Sequence, residues 1–137
     1  MSIEINCLCG EIKATIKGKP IAQVYCHCDD CQAAFGGAYV GLALYPTESV
    51  TITEGTPTVW TYKSNPRRIC NKCGTIVFTQ PEGASFRGIN QTLLPQDLFK
   101  ASCHIQCQHS ILPVVDDLPH YKGFPASFGG SDEVMDW

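Results

Sequence analysis

The chain has 137 residues, 44% of them hydrophobic and 17% charged, with a formal net charge of −3. That length suits one domain with a core of its own, so cysteines are not needed merely to hold a miniature fold together. Lys and Arg gather into no block, which excludes a nucleic-acid partner held through its phosphates and an electrostatic membrane anchor.

The first residues show neither the basic stretch nor the apolar run of a secretory leader. The longest near-apolar run, Gly36 to Tyr45, is too short to span a bilayer. The expectation is a soluble, cytoplasmic protein.

Along the chain the pattern is strand after strand. Residues 3–8 alternate, with Ile3 and Ile5 on one face, and Cys9-Gly10 makes a turn. In residues 11–17, Ile12, Ala14 and Ile16 alternate with charged or hydroxyl side chains, a half-buried strand that Gly18-Lys19-Pro20 ends. Residues 22–25 predict a third strand running straight into Cys26. Residues 29–35 predict one or two helical turns, capped by Asp29 or Asp30 and stopped by Gly36-Gly37. Further strands are expected at 38–45, 50–53, 59–63, 75–79 and 85–89, separated by Pro and Gly breaks. From Gly123 on there is no periodicity. The reading is a domain over 1–123 and a C-terminal tail over 124–137, loosely held unless Trp137 docks.

Nine cysteines stand in this chain. An odd count without a leader lowers the case for disulfides. Seven of them fall into three clusters: Cys7-Leu8-Cys9-Gly10, Cys26-His27-Cys28-Asp29-Asp30-Cys31, and Cys70-Asn71-Lys72-Cys73-Gly74. Such short spacings let thiolates converge on one ion while the backbone turns between them, and the following glycine tolerates the positive φ of that turn. Zinc takes four sulfurs tetrahedrally at roughly 2.3 Å. The pairs Cys7/Cys9 and Cys70/Cys73 therefore complete one closed, structural shell. Cys26, Cys28 and Cys31 supply only three ligands, which leaves a second Zn²⁺ with a place for water or substrate, unless His27 or a distant His fills it. Cys103 and Cys107, with His104 and His109, read as small buried side chains rather than a third metal site.

The ordered pattern of these clusters resembles the glutathione-dependent formaldehyde-activating enzyme (GFA) family, which includes the centromere protein V domain. Arg68, His104-Ile105 and the run Asp116-Asp117-Leu118-Pro119-His120-Tyr121-Lys122-Gly123 add to the resemblance, which covers about residues 5–123. The resemblance implies a mainly β, single-domain β-tent of antiparallel sheets built around a four-cysteine zinc site, with short helical turns. It also implies one zinc on Cys7, Cys9, Cys70 and Cys73 and a second on Cys26, Cys28 and Cys31. The implied activity is that of a carbon–sulfur lyase, S-hydroxymethylglutathione synthase-like, joining a small thiol such as glutathione to a small aldehyde. The chain departs from its relatives at Gln32-Ala33-Ala34-Phe35-Gly36, at Gly88-Ile89-Asn90-Gln91 and over residues 108–113, places where a substrate pocket would be shaped.

In this reading Cys26, Cys28 and Cys31 carry the chemistry, and His27 either relays a proton or is hydrogen-bonded in a tight loop. Asp29 and Asp30 are a helix cap and a solvated neighbour. Arg67 and Arg68 either hold glutathione carboxylates or serve structure. The competing readings are a non-catalytic zinc-braced module that binds a protein, and a redox switch built on the triplet.

Overall fold

The structure is a computed structural model that describes residues 2–137; Met1, where the expected leaderless terminus begins, lies outside them. Among the described residues the strands form two sheets. The smaller is antiparallel and holds β1 (Ser2–Asn6), β2 (Lys13–Lys17) and β5 (Val50–Glu54). The larger has seven strands. From one edge inward these are β10 (Cys103–Ile105), β3 (Ala22–Cys26), β4 (Val40–Pro46) and β9 (Phe86–Asn90). They are followed by β8 (Ile76–Thr79), β7 (Pro66–Ile69) and β6 (Thr58–Thr61).

The mainly β expectation holds, with one departure. β10 pairs with β3 in parallel, placing Ile105 opposite Cys26, so the large sheet is mixed rather than antiparallel throughout. The chain leaves β9 inside the sheet and crosses to the far edge before it can pair. A strand of three residues carries no alternation that would announce this.

β7 was not expected from the sequence either, because it opens on Pro66 and continues with two arginines. Proline is tolerated at the first residue of a strand, where no ladder donor is needed. Arg67 then faces inward and is 0% exposed. A charge at an inward strand position requires a buried partner, and α1 supplies it.

That helix, α1 (Asp29–Phe35), covers the expected span, but its cap differs. Cys28, not an aspartate, is the N-cap, and its Sγ accepts a hydrogen bond from the Cys31 N–H at 3.2 Å. Gly36 ends the helix in the left-handed region at φ 68°.

Two apolar cores result. Ile5, Ile12, Ala14 and Ile16 of the small sheet pack with Tyr45, Val50, Phe78 and Ile89, and this core encloses Cys7 and Cys70. Val24, Val40, Leu42 and Ile105 form the second, which encloses Cys26, Cys28 and Cys31. Each cysteine cluster thus sits at the border of its own core.

The tail is not loose. The Lys122 N–H donates to the Glu133 carbonyl and the Met135 N–H to the His120 carbonyl, both at 2.8 Å. Trp137 docks, its ring centroid 4.7 Å from that of His120 and 5.5 Å from that of His27.

Candidate metal centres

The outer cysteine pairs meet between the two sheets. Cys7 and Cys9 lie on the β1–β2 turn, and Cys70 and Cys73 on the β7–β8 turn. Both turns close on themselves: the Gly10 N–H donates to the Cys7 carbonyl at 3.0 Å and the Gly74 N–H to the Cys70 carbonyl at 2.8 Å. Gly10 (φ 82°) and Gly74 (φ 77°) adopt the conformation that follows the last sulfur of each pair.

All four Sγ atoms lie within 4.8 Å of one another. Cys7–Cys9 is 3.6 Å and Cys9–Cys70 is 3.7 Å, far longer than a disulfide bond of about 2.05 Å. A sulfur tetrahedron around zinc has edges of roughly 3.8 Å, given a zinc–sulfur bond near 2.3 Å. The four thiols and these two short edges suit zinc.

Neighbouring donors prepare the sulfurs for that charge. The Ile12 N–H donates to Cys7 Sγ at 3.2 Å. The Thr75 hydroxyl accepts from the Leu8 N–H and donates to Cys73 Sγ at 3.1 Å, which pulls the Cys73 thiol down to about 5.

The triplet is built differently. Cys26 ends β3, Cys28 caps α1 and Cys31 lies in its first turn, so a strand end and a helix start present three sulfurs to one point. The three are buried and their Sγ atoms lie within 4.8 Å of one another. Hydrogen bonds from the Cys26 and Cys31 thiols draw Cys28 down to about 3, and the reciprocal bond holds Cys26 well above its ordinary value. The cluster thus already favours a thiolate and fits a soft cation. Among the described residues no fourth Cys, His, Asp or Glu joins it.

Its remaining side opens into a cavity of about 620 Å³, within the roughly 300–1,000 Å³ usual for small-molecule sites. The walls are largely apolar, with Val24, Leu42, Leu44 and Ile105 beside the sulfurs and Phe124 and Phe128 contributed by the tail.

Comparison with known proteins agrees with this geometry. The sequence model of the family described as glutathione-dependent formaldehyde-activating enzyme matches residues 2–109.

The chain belongs to the GFA family.

A search of the curated proteins found no match. Among solved structures, a crystal structure of a Rhodobacter sphaeroides protein is similar in fold, with a TM-score of 0.58 at 17% identity, covering 72% of this chain and 97% of that one.

Within this GFA chain the remaining site residues fall into place around the triplet rather than inside the cavity. His27 is not part of the cavity wall. Its ring stacks on Tyr39, and its Nε2 is 2.8 Å from His104 Nδ1. Burial, then repulsion from His104, pushes His27 down to about 4, so it is neutral near pH 7. Asp30 is no solvated neighbour. It accepts from the Ser64 and Asn65 N–H groups at 2.8 and 3.0 Å and from Arg67 Nη1 at 2.8 Å. Arg67 is therefore committed to Asp30, and its Nη2 reaches Cys31 Sγ at 3.6 Å. Asp29 pairs with Lys63 at the surface.

A cluster that spacing did not reveal lies behind His27. Asp116 Oδ2 is 2.7 Å from His104 Nε2, and Asp116 Oδ1 is 3.2 Å from His120 Nε2. A carboxylate can only accept, so His104 carries a proton on Nε2 and turns its Nδ1 to His27 Nε2. The His104 and His120 rings stack at 4.5 Å and 23°. Asp116 accepts a hydrogen bond from His104, while His120 Nε2 stays close to the carboxylate without a hydrogen-bond partner of its own, and the ligand atoms of the three lie within 4.8 Å of one another. Cys103 and Cys107 are buried thiols outside every such group. The signal for the cluster was present in the family-like runs His104-Ile105 and Asp116 to Gly123, but nothing in their spacing paired them.

Proposed function

We propose that this protein is a zinc-dependent carbon–sulfur lyase-like enzyme that acts on a thiol adduct, of glutathione type, of a small aldehyde. The observation that carries the reading is the asymmetry of the two cysteine groups. Four sulfurs close the outer site, whereas three sulfurs face a cavity of about 620 Å³.

A zinc on Cys26, Cys28 and Cys31 would supply an open position at which a thiol loses its proton and remains nucleophilic. The chain's own residues do the rest. Cys28 and Cys31 are fixed by the start of α1, and Cys26 by its pairing with Ile105. Arg67 donates to Cys31 Sγ and keeps that sulfur oriented. The largely apolar walls leave room for a small carbonyl compound beside a thiolate held there. The carbon–sulfur bond forms, the thiol proton ends on the carbonyl oxygen, and the product is a hemithioacetal. The reverse direction is lysis, and no oxidant or reductant is required.

His27 serves in this scheme as a positioning residue, since its imidazole turns toward His104. A non-catalytic zinc-braced module has no use for a cavity opening on three unclosed sulfurs.

The test is exchange of isotope-labelled formaldehyde with its thiol adducts, followed by NMR on zinc-replete protein with glutathione and with 2-mercaptoethanol. Acceleration with either thiol, lost in Cys28→Ser while the outer zinc is retained, supports the proposal. No acceleration with either, at two zinc ions per chain, overturns it.

A further inference from the structure

We infer that the open side of the triplet selects an uncharged thiol with an apolar body, such as an arylalkyl thiol, over a charged peptide thiol such as glutathione. This rests on the lyase reading above and replaces its glutathione-type thiol with an apolar one.

The first ground is the wall of the cavity. Among the described residues lining it, apart from the three cysteines, none is ionisable; its polar groups are the neutral Ser64, Asn65, Thr79, Ser85 and Gln106. Glutathione carries two carboxylates and an ammonium. A charge moved out of water needs a partner of opposite sign, and an unpaired one is costly.

The second ground is the state of the nearby arginines. Arg67 is fully buried and tied to Asp30 and the Asn65 carbonyl. Arg87 donates to Gln80 Oε1 at 3.1 Å and to the Val50 carbonyl at 2.7 Å. Arg68 lines an adjoining shallow depression with Glu82, which shares only Pro81 with the cavity. None is placed to receive a carboxylate beside the triplet.

The third ground is the charge of the centre itself. Three thiolates on a divalent zinc leave one net negative charge, which repels an anionic ligand in a low-dielectric setting. An uncharged thiol avoids that repulsion, and its body gains by covering Leu42, Leu44, Phe86 and Phe128.

The experiment is titration of cobalt-substituted protein with 2-phenylethanethiol, 2-mercaptoethanol and glutathione. It is read by the rise in thiolate-to-cobalt absorption as a fourth sulfur joins the triplet. The outer site, already closed by four sulfurs, gives a constant background. The expected result is that 2-phenylethanethiol binds about tenfold or more tightly than glutathione, as burial of a phenyl ring allows. Phe128→Arg, at a side chain 39% exposed on the cavity wall, should narrow that ratio by improving glutathione binding. Glutathione binding as tightly as 2-phenylethanethiol, or more so, overturns the inference while leaving the lyase reading in place. If no thiol alters the spectrum, the open position takes no sulfur, and both fall together.

Discussion

At the scale of single residues, Arg67 is the side chain whose removal tells most. Its guanidinium joins Asp30 to Cys31, and Asp30 in turn holds the Ser64 and Asn65 N–H groups that border the cavity. Arg67→Ala leaves a buried carboxylate without its counter-ion. Urea unfolding should show a loss of about 3 kcal/mol, the usual scale for breaking a buried pair. The double variant Asp30→Asn/Arg67→Met should recover a good part of that loss, because two neutral groups leave no stranded charge. If the double variant loses the sum of what its two single variants lose, the pair is not the source of the stability.

Asp116 offers a test by pH. Burial works against its ionisation, but the hydrogen bonds from His104 and the Leu118 N–H outweigh it, so its folded value lies below the ordinary 3.8. A carboxyl with a depressed folded value stabilises the protein fully above its unfolded value, and that contribution disappears as the pH falls through the folded one. The stability difference between wild type and Asp116→Asn should therefore be level above about pH 5 and shrink below it. A difference that grows on acidification would contradict the assignment.

At the scale of elements, the tail and the turns matter most. Truncation after Gly123 removes the Glu133 carbonyl that accepts from Lys122, the Met135 N–H that binds His120 and the ring that caps three imidazoles. The melting temperature should fall by several degrees, about what a loss of 1–2 kcal/mol produces in a chain of this size. An unchanged melting curve would mean that the tail contributes no net stability.

The same elements show what the sequence could and could not announce. The alternation of Ile12, Ala14 and Ile16 is a local pattern, and so is the helix stopped by Gly36; both were legible. The grouping of the cysteines that could hold metal was legible because each cluster is compact in sequence. β7 was hidden because Arg67 looks like a surface residue until Asp30 is brought to it across 37 positions. Docking of Trp137 depends on His120, His27 and His104, which no periodicity links, and the cavity exists only once β3, β4, β9 and the tail are assembled.

At the scale of the molecule, the closed site joins the two sheets, since its ligands come from the β1–β2 turn and the β7–β8 turn. A mild chelator should first remove the metal from the open triplet with little change in circular dichroism. Removal from the four-cysteine site should then cost cooperativity, because a metal held there would tie the small sheet to the large one. Metal content followed beside unfolding would show one zinc leaving before the transition and one with it. Simultaneous loss of both would contradict the division of labour.

That same tie has a bearing on how the chain is made. Cys9 and Cys70 stand 61 positions apart, with the triplet between them. As the polypeptide leaves the ribosome, Cys7 and Cys9 encounter Cys26, Cys28 and Cys31 before Cys70 has been synthesised. An ion shared between the first pair and the triplet in that interval would sit among foreign partners and would have to change hands when Cys70 and Cys73 emerge. On the zinc reading proposed above, the supply of that ion during translation bears on the yield of correctly metallated protein.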